Sequence, residues 1–114
     1  MFSTEQIADI TNLMEQFLDR NRPPEEIRKE VDLGYKIEDQ NVFVFEIRPA
    51  FMDPKIIIES SIAKATYNKR QMLWKIYWMP GNLKWTIYDP KPTVKNLKGF
   101  IKLIEEDKYA CFFG

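Results

Sequence analysis

The sequence predicts an α+β fold: an N-terminal helix, a five-stranded antiparallel meander sheet and a C-terminal helix, with both helices packed on one sheet face. Three observations lead there. Apolar residues recur at helical spacing near each end, alternating apolar and polar runs fill the middle, and strands never alternate with helices as a parallel sheet requires. At 114 residues the chain buries one core of useful size and no second one, so residues 1–114 are expected to form a single domain.

The first helix is expected to begin at Thr4. Ser3 followed by Gln6 fits a capping box, and Phe2 and Ile7 are spaced for a hydrophobic staple. Ile7, Ile10, Met14 and Phe17 form a helical stripe that Leu13 and Leu18 widen, and Asn21 with Pro23-Pro24 ends it. Strand patterns follow. Val31, Leu33, Tyr35 and Ile37 alternate with Glu30, Asp32, Gly34 and Lys36; Phe43, Phe45 and Ile47 alternate with Val42, Val44, Glu46 and Arg48 as far as Pro49. A third strand covers about Ile56 to Tyr67 after an Asp53-Pro54 turn, and Met72 to Met79 and Leu83 to Tyr88 supply two more before Pro90 and Pro92. Thr93 is a candidate N-cap for the second helix, whose Leu97, Phe100, Ile101 and Ile104 share one stripe. Lys95 and Lys98 lie near its start and Glu105, Glu106 and Asp107 near its end, against the macrodipole, so packing must hold it. Tyr109 to Phe113 is too apolar for a free tail and is expected to close the core.

Turn chemistry suggests how the strands register, which matters because a one-residue slip exchanges the faces of a strand. A two-residue turn at Gly81-Asn82 sets Trp78 opposite Trp85 and Ile76 opposite Ile87, leaving Trp74 and Leu83 on the same apolar face. A similar turn at Lys69-Arg70 sets Ala65 against Trp74, Ala63 against Ile76 and Lys64 against Lys75. If Phe43, Phe45 and Ile47 join the Trp side, the opposite face collects Glu46, Arg48, Lys64, Lys75, Tyr77, Lys84 and Tyr88. An odd loop at Glu38 to Gln40 would then place Glu30 opposite Arg48.

Composition narrows the chemistry. The chain has no His and one Cys, which removes the usual zinc, haem and iron–sulfur ligand sets and the Ser–His and Cys–His nucleophile pairs, so no cofactor or metal is expected. Seventeen Lys and Arg balance 17 Asp and Glu, so any electrostatic function must come from a local patch. Polar residues from Met1 to Gln6, the unpaired Cys111 and the lack of a long apolar run point to a cytoplasmic protein without a membrane partner.

Several local strings carry a resemblance: Phe45-Glu46-Ile47-Arg48-Pro49, Ile62-Ala63-Lys64, Lys84-Trp85 with Tyr88 three residues beyond the Trp, and Cys111-Phe112-Phe113-Gly114. Together they resemble the bacterial family named domain of unknown function 3024 over nearly the whole chain. That family pattern often has His after the Trp, where this chain has Thr86. The resemblance implies the boundaries and singles out Glu46, Arg48, Lys64, Trp85 and Tyr88, but it implies no substrate.

The leading functional expectation is a non-catalytic binding module. Arg48, Lys64, Lys75 and Lys84 would supply a local basic surface beside Glu46, and Tyr77 and Tyr88 would stack on a planar group of an anionic ligand or nucleic acid. The plain alternative is a solvated sheet face with ordinary surface ion pairs. A structural homodimer is a further class, because Ile56-Ile57-Ile58 suits an edge, a doubly buried strand or half of an interface. A metal-dependent nuclease-like enzyme using Glu46 and Arg48 is disfavoured, since such sites want further carboxylates and Asp32 is the only nearby candidate.

Overall fold

The computed structural model describes residues 1–113; Gly114, the end of the C-terminal string, lies outside the described residues. Helix α1 spans Thr4–Asn21 and starts where the capping box places it. The Gln6 backbone N–H donates to Ser3 Oγ at 3.1 Å, and the Ser3 N–H donates to Gln6 Oε1 at 2.9 Å. Ile10, Met14 and Phe17 are buried as the stripe requires. The staple does not form, because Ile7 stays exposed while Phe2 packs against the contacting rings of Tyr67 and Trp74. Beyond the helix, Arg22 clamps Asp32 through two bonds of 2.9 and 2.6 Å, fixing where the first strand begins. The adjacent guanidinium holds the Asp32 carboxyl below its usual range.

The strands are β1 (Asp32–Glu38), β2 (Asn41–Pro49), β3 (Ile57–Asn68), β4 (Leu73–Trp78), β5 (Thr86–Ile87) and β6 (Thr93–Val94). The first five follow one another in an antiparallel meander, and the two-residue β6 also pairs with β4. Helix α2 spans Leu97–Glu106. Both helices cover the face carrying Leu33, Val42, Val44, Ala63, Ala65 and Ile76, all of which are buried in one cluster with the helical stripes.

The β1–β2 register corrects one expectation. Asp39, with φ 56°, takes the left-handed conformation that Asp tolerates, so the connection is the two-residue turn Asp39-Gln40 and Glu38 pairs with Asn41. Val42 and Val44 therefore lie opposite Ala65 and Ala63 on the covered face, and Phe43, Phe45 and Ile47 are on the other. Arg48 pairs with Glu46 rather than Glu30. The β3–β4 register differs by two residues from the expected one. Ala65 meets Ile76, Ala63 meets Trp78, and Lys64 meets Tyr77 instead of Lys75; a shift of two preserves the faces, so small still packs against large.

The β4–β5 register differs by one, and this exchanges faces. Trp78 lies opposite Thr86 and Tyr77 opposite Ile87, because residues 79–85 form a longer loop in which Leu83 adopts φ 61°. Consequently Trp85 leaves the Trp side, Leu83 is exposed, and Tyr88 enters the core. The next segment also differs: Thr93 is in β6, and Asn96 caps α2 by accepting the Gly99 N–H at 3.0 Å. A Cβ on Gly99 would lie 2.9 Å from Val94 Cβ, so this glycine permits the close approach of α2 to β6.

The α2 stripe Leu97, Phe100, Ile101 and Ile104 is buried in full. Glu105 accepts from Arg20 at 3.0 Å and from the Asn21 side chain at 2.6 Å, fastening the two helices together. After Asp107 the chain turns back, and both carboxylate oxygens of that residue accept backbone N–H groups, from Phe112 at 3.0 Å and Phe113 at 2.8 Å. Phe112 is thereby seated 4.9 Å from the Tyr88 ring and closes the core, whereas Tyr109 and Phe113, expected to do the same, stay exposed.

Candidate ligand-binding face of the sheet

The face opposite the helices is rich in aromatic side chains. On three adjacent strands Phe43, Lys64 and Tyr77 stand in one row, because Phe43 pairs with Lys64 and Lys64 pairs with Tyr77. The β4–β5 loop brings Trp85 onto the same face, where its ring lies 5.9 Å from Phe43. Lys64 is at the centre: its Nζ is 4.5 Å from the Tyr77 centroid and 5.0 Å from that of Trp85. Contact with two ring faces is favourable for an ammonium, and partial burial pushes the Lys64 pKa below the usual lysine value. Lys36 Nζ lies 5.1 Å from the Phe43 ring, and Lys75 occupies the next row, opposite Thr66.

Gly34 belongs to this face as well. A Cβ there would come within 2.7 Å of the Phe45 ring, so that ring lies down over the glycine and is itself buried. The arrangement offers flat rings for stacking and ammonium groups for negative charge, the two elements a nucleotide-like ligand presents together.

The residues singled out by sequence divide among several places. Lys64, Lys75 and Tyr77 share the open face. Lys84 is exposed in the adjoining loop, its N–H bonded to Asn82 Oδ1 at 3.0 Å. Glu46 and Arg48 lie on the helix side of β2, joined by a 2.8 Å ion pair, with Glu46 lining an open groove of about 330 Å³ with Leu33, Asn21 and Glu105. Tyr88 is in the core at 2% exposure, where burial pushes its phenol pKa up. Among the described residues no three His, Cys, Asp or Glu side chains are grouped to hold a metal ion, and no helix is long and apolar enough to cross a membrane. The sequence pattern assigns Phe43 and Trp85 to the core, and the structure places both outside it. The signal that locates Phe43 is the Asp39 turn together with the pairing of bulky Val42 and Val44 with Ala65 and Ala63.

A model of the family described as Domain of unknown function (DUF3024) matches residues 2–114. The chain belongs to that family. No curated protein and no solved structure matches it. In this DUF3024 chain the strings that carry the resemblance fall at structurally demanding points: in β2, at the irregular β2–β3 pairing beside Val44, where the open-face Trp85 and buried Tyr88 diverge, and in the segment that Asp107 folds back.

Proposed function

We propose that this domain is a binding module whose open sheet face takes single-stranded nucleic acid, stacking bases on Tyr77 and Trp85 and placing phosphates near Lys36, Lys64 and Lys75. The observation that carries this reading is the row Phe43-Lys64-Tyr77 with Trp85 beside it, on a sheet face that neither helix covers. Half-buried aromatics outside the core cluster contribute less to folding than buried ones, and a base has the flat face that satisfies them. The balanced net charge means affinity rests on this local patch, so binding should be modest and salt-dependent.

The test is a titration of labelled oligo(dT) followed by fluorescence anisotropy at two salt concentrations. The expected result is binding that weakens with salt and falls about tenfold in Tyr77→Ala, consistent with roughly 1–3 kcal/mol per stacked base. Lys64→Ala should weaken binding and reduce its salt dependence, and inorganic phosphate should compete poorly because it lacks a ring. Absence of binding in the wild type, or variants that both bind as tightly as the wild type, would leave an ordinary solvated face.

A further inference from the structure

The β2–β3 hairpin runs past its neighbours. β4 pairs with β3 only from Ala63 onward, so residues 57–61 of β3 have β2 on one side and no strand on the other. All five are exposed. The Ala50 N–H donates to the Ile56 carbonyl at 2.7 Å, which fixes the alternation: Ile56, Ile58 and Ser60 turn their backbone groups toward β2, while those of Ile57, Glu59 and Ser61 point outward. No strand pairs with that side of residues 57–61. The same end of the hairpin exposes Phe51, Met52, Ile56, Ile57 and Ile58, the first two at 99% and 90%.

We infer that this edge pairs antiparallel with the same edge of a second copy, around a two-fold axis at Ile58. Such a pair satisfies the outward donors and acceptors of both chains, since an antiparallel edge is complementary to itself. The five apolar side chains together expose on the order of 600 Å² per chain, at the top of the range for the largest apolar patch of a monomer. Covered in full on both copies this would be about 1,200 Å², the lower bound for a stable interface; Ile57 and Ile58 alternate across the strand, so the ladder covers part of it and the pairing of the outward backbone groups supplies the rest. The charges of the arm, Arg48 and Lys55 against Asp53 and Glu59, cancel within each copy.

The axis follows from the pattern. Centring the pair on Glu59 would set two carboxylates face to face, which is unfavourable. Centring it on Ile58 hydrogen-bonds Ile57 to the partner's Glu59 and sets Ile58 against the partner's Ile58. The incoming strand then takes the place beside β3 that β4 leaves after Trp78, and its apolar tip points toward the β4–β5 loop, where Leu83 is exposed. This dimer does not depend on the ligand reading.

The full chain should sediment at twice its 13.6 kDa, and Ile58→Lys, a change at an exposed position, should return it to monomer with its melting temperature retained. In a Cys111→Ser background, Ile58→Cys should form an intermolecular disulfide under mild oxidation. The Ile58 pair is non-hydrogen-bonded in the new ladder, with Cα atoms about 4.5 Å apart, within disulfide reach. A wild type that stays monomeric at the highest attainable concentration overturns the inference, as does a dimer that survives Ile58→Lys and gives no cross-link in the Ile58→Cys variant.

Discussion

The two faces of this sheet use aromatic residues differently. On the covered face Phe100, Phe17 and Tyr88 are shut away beneath the helices and the folded-back tail, and among the described residues no charged side chain is buried with them. On the open face Phe43, Tyr77 and Trp85 are only half-buried and share their surface with lysines, one of which lies against two rings. The covered face maximises area removed from water, whereas the open one leaves ring surface and positive charge accessible together. Composition alone does not distinguish these uses. The difference comes from strand register and from which side the helices occupy.

Substitutions can break the contrast. The largest effect is expected for Phe100→Ala, which empties a fully buried site in α2 and should cost about 3–5 kcal/mol by denaturant unfolding. Truncation before Phe112 removes the ring seated on Tyr88 and both backbone donors to Asp107; a loss of roughly 1.5–3 kcal/mol and increased dye binding to exposed apolar surface are expected. Gly34→Ala tests the open face, because the added Cβ would meet the Phe45 ring at 2.7 Å. Its cost should be about 1–3 kcal/mol by thermal melting, and Phe45→Leu in the same chain should reduce that penalty.

The smallest effect is electrostatic. Arg22 holds the Asp32 carboxyl below its usual range, and Arg20 first, with Asn21, does the same for Glu105. Carboxylates with depressed folded pKa values add stability above the ordinary carboxylate range and lose it as pH falls through the folded value. Unfolding midpoints should therefore drop between about pH 5 and about pH 2. In Arg22→Ala the part of that drop due to Asp32 should shrink.

Much of the architecture was legible because it depends on strong local signals. The Ser3–Gln6 box fixed the start of α1, and the stripe from Leu97 to Ile104 identified α2 even though its charges oppose the helix dipole. The faces of β3 and β4 also survived a register error, since a displacement of two residues returns each side chain to its own side. The candidate site was less legible because it rests on parity. One left-handed Asp39 sends Phe43 outward, and a loop longer than two residues sends Trp85 outward and Tyr88 inward. Neither turn length is set by alternation within the strands, and non-glycine residues in left-handed conformation are seldom foreseen from sequence.

Tyr77 and Tyr88 therefore make the most direct comparison: the sequence pattern puts them on one face, and the structure puts them on opposite ones. Each should be changed to Ala and unfolded in denaturant under identical conditions. Tyr88→Ala should lose about 3–5 kcal/mol, as expected for a buried aromatic, whereas Tyr77→Ala should lose about 1 kcal/mol or less. If Tyr77→Ala proved as destabilising as Tyr88→Ala, the open face would be a second core and the division between the two faces would be wrong.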